Sequence, residues 1–140
     1  MPTLASTALS AIAPLRVAEV MHWGLVSCSA DASLEVVAAL MSSEGVHCVV
    51  VRGAGEGSLW GVVSDLDLIA AASVRPLSLQ SAGGTAMRPA VTVAPSESLD
   101  VATQLMARAG VAHLVVVDPV ERRPIGVLST LDLARALSST

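Results

Sequence analysis

The second half of this chain repeats the first half at a constant spacing of 65 residues. Residues 26–71 align with residues 91–136 without a gap, and 18 of the 46 aligned pairs are identical. A match of this length without insertions indicates that one structural unit has been duplicated. A unit of this size cannot bury both of its apolar faces alone, so the two copies are expected to pack together around one core.

The residue pattern of each repeat predicts a short strand, a helix, two further strands and a last helix. The first strand (26–28 or 91–93) leads into a polar turn, where Asp31 or Ser96 is available to cap the helix. That helix ends at a glycine, for which the left-handed conformation costs little. The remaining assignments are the helix faces Leu34, Val37, Leu40, Met41 and Leu99, Ala102, Leu105, Met106, the glycines Gly45 and Gly110, the strands 46–51, 60–63, 111–117 and 125–128, and the last-helix starts Ser64 and Ser129.

The expected fold is therefore α/β (α+β): tandem β-α-β-β-α repeats with pseudo-two-fold symmetry, in which helices flank two small sheets. The chain divides into four parts, which are an uncharged N-terminal arm (1–15), a first repeat (16–73), a linker with room for a helical turn (74–84) and a second repeat (85–138).

Composition argues against a membrane, a secreted or a nucleic-acid-binding protein. No uncharged apolar run approaches the roughly 20 residues that span a bilayer. Cys28 and Cys48 are the only cysteines and form no CxxC motif, so a reducing cytoplasm fits best. The formal net charge is −4, and the eight basic residues, all arginines, form no stripe that would neutralise phosphates. No nucleic-acid partner and no membrane are expected.

The repeated unit resembles the CBS domain, and the tandem resembles the paired form called a Bateman module, as in stand-alone bacterial members of that family. The resemblance covers residues 16–138 and rests on motifs that recur in the same order. These are an opening segment that includes a methionine, a helix ending in Leu-Met, a Gly-Val start of the central strand and a closing Gly-x-x-Ser-x-x-Asp. The closing motif is Gly61-Val62-Val63-Ser64-Asp65-Leu66-Asp67 in the first repeat and Gly126-Val127-Leu128-Ser129-Thr130-Leu131-Asp132 in the second.

This resemblance implies that an adenosine nucleotide binds in the cleft between the repeats. Carried over by position, Asp67 and Asp132 accept hydrogen bonds from the ribose hydroxyls, and Ser64 and Ser129 lie near the sugar or phosphate. A carboxylate suits that role because it only accepts hydrogen bonds and can hold two neighbouring hydroxyls. The expected ligand is AMP, ADP or ATP, or S-adenosylmethionine, and no cofactor is required.

The same motif has a purely structural interpretation. Ser-x-x-Asp at a strand-to-helix junction is also a capping box, in which the serine caps the helix and the aspartate reaches back. The serine can cap while the ligand is absent, so the two interpretations are compatible.

Other side chains are candidates for the rest of the nucleotide. Aliphatic residues on the neighbouring strands are expected to face adenine, although core packing is the simpler role for each of them. Imidazoles and guanidinium groups are candidates for the phosphates. The aliphatic set is Val62, Val127, Val46 and Val111, and the basic set is His47, His113, Arg16, Arg88, Arg122 and Arg123. Cys48 stands in the first repeat where His113 stands in the second, so the two sites are expected to differ.

Catalysis and metal binding have weaker support. Neither cysteine has a recognisable nucleophile context, and no phosphate-binding loop or dinucleotide fingerprint is present. Neighbours on a strand point to opposite faces, so His47 and Cys48 cannot converge on one metal ion, and no metal site is expected. The chain is expected to be a non-enzymatic, homodimeric regulator of a partner protein in trans. The alternatives are a ligand-free structural or oligomerisation module and a metal-binding stress-response protein.

Overall fold

The computed structural model describes residues 8–53, 60–86 and 89–139. Three short elements come first: α1 (Ala8–Ile12), α2 (Val17–Val20) and β1 (His22–Trp23). The first repeat contains β2 (Ser27–Ser29), α3 (Leu34–Glu44), β3 (Cys48–Arg52), β4 (Trp60–Ser64) and α4 (Asp65–Ala72). A 3₁₀ turn (Leu77–Leu79) and α5 (Ala82–Thr85) follow it. The second repeat contains β5 (Thr92–Val93), α6 (Leu99–Ala109), β6 (His113–Val117), β7 (Pro124–Ser129) and α7 (Thr130–Ser138).

The predicted α/β fold is confirmed, with the same β-α-β-β-α order in both repeats. One sheet has the order β2-β3-β4, and the other has the order β1-β7-β6-β5. In each sheet the short first strand of the repeat pairs in parallel with the central strand, which pairs antiparallel with the next. The register is also the same, because Val50 lies opposite Val62 and Val115 lies opposite Val127.

The two long helices, α3 and α6, end at the predicted glycines but do not begin at the predicted caps. Gly45 and Gly110 close α3 and α6 in the left-handed conformation, with φ of 64° and 65°, as predicted. Asp31 and Ser96, in contrast, were the wrong caps. Ser33 caps α3 and Ser98 caps α6, because each is the extended residue directly before the helix, where a hydroxyl reaches the third helical N–H.

The chain forms two compact units. The first unit spans residues 25–90, and the second combines the chain up to Gly24 with the chain from Val91 onward. The expectation of one core shared by the two repeats is wrong, because each unit has its own apolar core around its sheet. The core of the first unit contains Cys28, Leu34, Val37, Met41, Val49, Val51, Val63, Ala71 and Ala82. The core of the second contains Ile12, Val17, Met21, Val93, Leu99, Ala102, Met106, Leu114, Val116, Leu128 and Leu133.

The duplication extends into the segments that precede each repeat. In the second unit, the N–H of Leu99 at the start of α6 donates to the carbonyl of Leu15. In the first unit, the N–H of Leu34 at the start of α3 donates to the carbonyl of Gln80. Each donor and each acceptor has its counterpart 65 positions away. Because the equivalent segment comes before the repeat in one unit and after it in the other, the two units are circular permutants of one topology.

The N-terminal arm is therefore part of a core. Ile12 is 1% exposed and packs in the second unit, whereas Leu9, one helical turn earlier, is 50% exposed. Among the described residues no helix has the length and apolar character needed to cross a membrane.

Replacing Ile12 with Ala is expected to lower the free energy of unfolding by about 2–5 kcal/mol, because it leaves a cavity in the second unit. The matched change Leu9→Ala is expected to cost less than about 1 kcal/mol, because that side chain is half exposed. Urea denaturation followed by circular dichroism measures both. Equal effects of the two changes would contradict the placement of Ile12.

Candidate functional site

The junction between β7 and α7 holds the serine and aspartate of the second closing motif. The backbone N–H of Ser129 donates to Asp132 Oδ2 at 2.8 Å, and the Ser129 hydroxyl lies 3.1 Å from the same oxygen. The N–H of Asp132 in turn donates to Ser129 Oγ at 3.2 Å. This reciprocal pair is a complete capping box, so the structural interpretation of the motif is correct in the second repeat.

The first repeat has the same arrangement between β4 and α4. The N–H of Ser64 donates to Asp67 Oδ2 at 2.9 Å, and the N–H of Asp67 donates to Ser64 Oγ at 3.2 Å. Both aspartates therefore use Oδ2 to hold the helix start. A capping role and a ligand role remain compatible as long as the other carboxylate oxygen stays accessible.

Burial distinguishes the two aspartates. Asp132 is 8% exposed and is the one buried charged residue among those that the structure describes, whereas Asp67 is half-buried. The guanidinium of Arg135, on the next turn of α7, lies 3.9 Å from Asp132 Oδ1. The equivalent residue on α4 is Ala70, so the first repeat has no such guanidinium. Sequence reasoning missed Arg135, although its i+3 spacing from Asp132 on one helix was the available signal.

The four valines separate into two pairs. Val46 and Val111, just after the helix-ending glycines, pack against the cores of their own units, which supports a core role for them. Val62 and Val127 are half-buried and belong to neither core cluster. Side chains alternate along a strand, so Val127 shares a face of β7 with Ser129, as Val62 does with Ser64 on β4.

The histidines occupy different places in the two units. His113 is half-buried and lies directly opposite Ser129 in the β6–β7 ladder, on the same face of the sheet. Its counterpart Cys48 is buried opposite Ser64. His47 lies one residue before Cys48 and is exposed, with its Nδ1 3.0 Å from Asp65 Oδ2. The strand register thus brings an imidazole next to Ser129 but a thiol next to Ser64.

The predicted phosphate-binding arginines have other surroundings. Arg16 donates to the carbonyl of Ser96 at 3.1 Å, and Arg123 donates from Nε to Glu121 at 3.1 Å. Arg122 lies in the turn before β7 with a φ of 58°. Arg88 lies outside the described residues. The arginine that the structure brings next to a closing-motif aspartate is therefore Arg135.

The described residues give little support to metal binding or to nucleophilic chemistry. Within residues 8–53, 60–86 and 89–139, no group of three or more His, Cys, Asp or Glu side chains could hold a metal ion. Burial raises the pKa of the Cys28 thiol, and the nearby charge of Arg52 only partly offsets this effect. A buried thiol with a raised pKa is a poor nucleophile near neutral pH.

Comparison with protein families shows what these two units are. The CBS domain family matches residues 17–74 and residues 84–139, which together make up most of the chain. The chain belongs to the CBS domain family and carries two CBS domains. Comparison with curated protein sequences finds no match.

Solved structures share the fold over most of the chain. A hexameric CBS-CP12 protein from bloom-forming cyanobacteria is 20% identical, with a TM-score of 0.79 over 86% of this chain and 66% of that one. A CBS domain protein from Pyrobaculum aerophilum, complexed with AMP, is 26% identical, with a TM-score of 0.74 over 90% of this chain and 100% of that one. The CBS domain of a bacterial CNNM/CorC family Mg²⁺ transporter, in complex with ATP, is 19% identical, with a TM-score of 0.75 over 94% of this chain and 92% of that one.

Replacing Ser129 with Ala is expected to reduce the free energy of unfolding by about 0.5–2 kcal/mol, because the start of α7 loses its cap. Ser138→Ala, at the exposed end of the same helix, is expected to change it by less than about 0.5 kcal/mol. Thermal unfolding of the two variants against the unchanged protein measures the difference. A neutral Ser129→Ala variant would show that the hydroxyl does not stabilise the helix.

Proposed function

We propose that this protein is a regulatory module that binds an adenine nucleotide at the junctions closing its CBS domains and acts on a partner protein in trans. The observation that carries the proposal is the buried carboxylate of Asp132, which lies with Ser129 at the junction between β7 and α7. A carboxylate removed from water needs hydrogen-bond donors, and two adjacent ribose hydroxyls supply them.

Capping leaves Asp132 with acceptor capacity for a ligand. Its two oxygens offer about four lone-pair positions. The backbone N–H and the hydroxyl of Ser129 lie against Oδ2, whereas among the described residues Oδ1 has only the Arg135 guanidinium, at 3.9 Å. Ribose hydroxyls approaching Oδ1 therefore need not break the helix cap. Asp132 is expected to hold the cap and the sugar together.

The remaining groups of the second unit suit the rest of a nucleotide. Val127 supplies an aliphatic surface for adenine on the face of β7 that also carries Ser129. His113, opposite Ser129 in the ladder, and Arg135, which lies 3.9 Å from Asp132 Oδ1, are donors that suit a phosphate. The first unit has Asp67, Ser64 and Val62, but Cys48 and Ala70 stand at the positions equivalent to the two donors. Nucleotide binding at its site is therefore expected to be weaker.

The similar structures support the same class of ligand. The Pyrobaculum aerophilum relative is complexed with AMP and matches this chain over nearly its full length, and the transporter domain is in complex with ATP. We therefore propose AMP, ADP or ATP as the ligand, with S-adenosylmethionine as a further candidate. In this proposal the module has no catalytic role, needs no cofactor and works in the cytoplasm.

Removing one carboxylate charge is expected to weaken nucleotide binding at least about tenfold, because each charged hydrogen bond is worth about 1.5–3 kcal/mol. Isothermal titration of AMP and ATP into the protein and its Asp132→Asn and Asp67→Asn variants measures the change. The asparagines keep the shape and part of the capping ability of the aspartates. Asp132→Asn is expected to have the larger effect. Unchanged affinity in both folded variants would limit these aspartates to capping.

A ligand-free structural or oligomerisation module is the second candidate, and one observation favours it. In each capping box the serine and the aspartate satisfy each other, so a purely structural role explains the motif. A thermal-shift screen with AMP, ADP, ATP and S-adenosylmethionine separates the two candidates. A nucleotide at a hundred times its dissociation constant is expected to add about 2.7 kcal/mol of stability. No shift with any of the four would favour the structural module.

A homodimer is part of the proposal. Large apolar side chains are exposed on the described part of the chain, among them Leu66 and Ile69 one turn apart on α4, and neighbouring exposed apolar side chains are typical of a surface that another protein covers. Closed two-fold dimers are the commonest way in which such surface is buried.

A further inference from the structure

A histidine of the N-terminal segment lies on the same face of the sheet as the candidate nucleotide site. β1 pairs antiparallel with β7, and the register places His22 directly opposite Val127. Residues opposite each other on neighbouring strands project from the same face of a sheet, with Cβ atoms about 4.5–5.5 Å apart. Because side chains alternate along β7, this is also the face that carries Ser129. His22 is therefore a neighbour of this site, although it is far from both residues in the chain.

The pairing of β1 with β7 holds the backbone of His22 in this position. A Cβ on Gly126 would meet the carbonyl oxygen of His22, so the two strands approach each other with no room for a side chain between them. The N–H of Gly24, directly after β1, donates to the carbonyl of Ile125 at 2.9 Å. The His22 side chain is exposed, which lets the imidazole turn towards a ligand on this face.

A second imidazole lies on the other side of β7. The register of β6 and β7 places His113 opposite Ser129, and Ser129 is the next residue after Val127 on the same face. From the spacing of strands and the rise per residue, the Cα atoms of His22 and His113 are about 12 Å apart. The two imidazoles thus flank the surface of Val127 and Ser129 from opposite sides, and a nucleotide that lies across β7 can contact both.

The other charged groups around this face keep their charge near neutral pH or lie elsewhere. The four strands of this sheet carry no Asp, Glu or Arg side chain. On α7, Asp132 and Arg135 lie 3.9 Å apart, and their opposite charges offset each other. The helix α6 packs on the opposite, core face of the sheet. The remaining charged side chains of the packed helices are Arg16 and Glu19 at α2 and Asp100 and Arg108 on α6.

We propose that nucleotide binding in the second unit is coupled to proton uptake by His22 and His113, which makes the site selective for adenine nucleotides that carry phosphate. The inference rests on the proposed function and names the ligand class and the regulation of the same site. A protonated imidazole donates hydrogen bonds from both ring nitrogens and attracts phosphate, whereas the neutral ring carries no charge. Binding of phosphate therefore favours the protonated rings, and affinity is expected to rise between about pH 8 and about pH 6.

The sign of this pH dependence distinguishes the imidazoles from other titrating groups. Protonation of Asp132 would remove an acceptor for the ribose hydroxyls and would weaken binding as the pH falls. Phosphate monoesters also gain a proton at about pH 6, which lowers the charge of the ligand and again weakens binding. Tighter binding at the lower pH can therefore be assigned to the imidazoles.

The first repeat provides an internal comparison. Cys48 stands at the position equivalent to His113. His47, the remaining histidine of the chain, lies just before β3, where it is exposed with its Nδ1 3.0 Å from Asp65 Oδ2. No pair of imidazoles therefore lies along the described β3–β4 ladder, and proton-linked binding is expected to belong to the second unit.

Isothermal titration of ATP, adenosine and S-adenosylmethionine into the full chain at two pH values tests the coupling. ATP is expected to bind about tenfold more tightly at about pH 6 than at about pH 8, because two charged hydrogen bonds are gained. Adenosine lacks phosphate, and its affinity is expected to change less than about twofold. S-adenosylmethionine carries a sulfonium cation and is expected to bind no more tightly at the lower pH. An ATP affinity that stays equal or falls at the lower pH would overturn the inference.

Substitutions of the two histidines test their roles separately. His22→Gln and His113→Gln are each expected to remove about threefold of the pH dependence for ATP and to leave adenosine binding unchanged. His22→Arg and His113→Arg keep a positive charge at both pH values, so ATP is expected to bind tightly with a reduced pH dependence. A purely structural role of either histidine does not predict this rescue by arginine. Circular dichroism confirms that the variants are folded.

The third histidine tests the location of the coupling. His47→Gln is expected to retain the pH dependence of ATP binding, because His47 lies beside Asp65 in the first unit. Titrations in buffers of different ionisation enthalpy count the protons taken up on binding, and the glutamine variants of the second unit are expected to take up fewer. Loss of proton uptake in His47→Gln alone would assign the coupling to the first unit and overturn the inference.

The outcomes also separate this inference from the proposed function. ATP binding with the same pH dependence in the unchanged protein and in both folded glutamine variants refutes the proton coupling and leaves the nucleotide site standing. Absence of binding by every ligand at both pH values refutes the proposed function together with the inference. Asp132→Asn is expected to weaken ATP and adenosine alike, because both ligands carry the ribose, whereas the histidine variants affect ATP alone.

Discussion

Each CBS unit is completed by a segment that lies outside the strand-to-helix repeat itself. Val17 in the second unit and Ala82 in the first are equivalent residues, and both are 0% exposed. The N–H of Val17 donates to the carbonyl of Glu97, and the N–H of Ala82 donates to the carbonyl of Ala32. Each acceptor lies in the turn before the long helix of its unit. These contacts are close. A Cβ on Gly83 would lie 2.8 Å from the Cβ of Ala30, which real structures do not show. Without these segments, both long helices and both sheets would lose part of their core.

The candidate site depends on this completed core through the strand that leads into the last helix. In the second unit, β1 pairs with β7 so closely that a Cβ on Gly126 would meet the carbonyl of His22. β7 then carries Val127 and Ser129 to the start of α7. The position of the Asp132 carboxylate therefore follows from a chain of backbone contacts that begins in the N-terminal segment.

Duplication produced two similar junctions, and a few substitutions made them different. Both retain the serine and the aspartate of the capping box, since each helix start needs its N–H groups satisfied. The second unit adds the imidazole of His113 opposite Ser129 and the guanidinium of Arg135 beside the Asp132 carboxylate. The first unit has Cys48 and Ala70 at those positions and exposes an apolar helix instead.

The sequence by itself determined the repeated element order, because the period of apolar residues and the helix-ending Gly45 and Gly110 act within one element. It also determined the capping boxes, since Ser129 and Asp132 are three residues apart on one helix start. The helix α3 is capped by Ser33 and not by Asp31, because this depends on the residue at which the helix begins. Propensity alone does not fix that residue. Only the tertiary structure decided which segments complete each unit and that Asp132 is buried while Asp67 is not. Those outcomes depend on contacts between residues far apart in the chain, such as Leu15 with Leu99, and no local pattern encodes the free energy of such contacts.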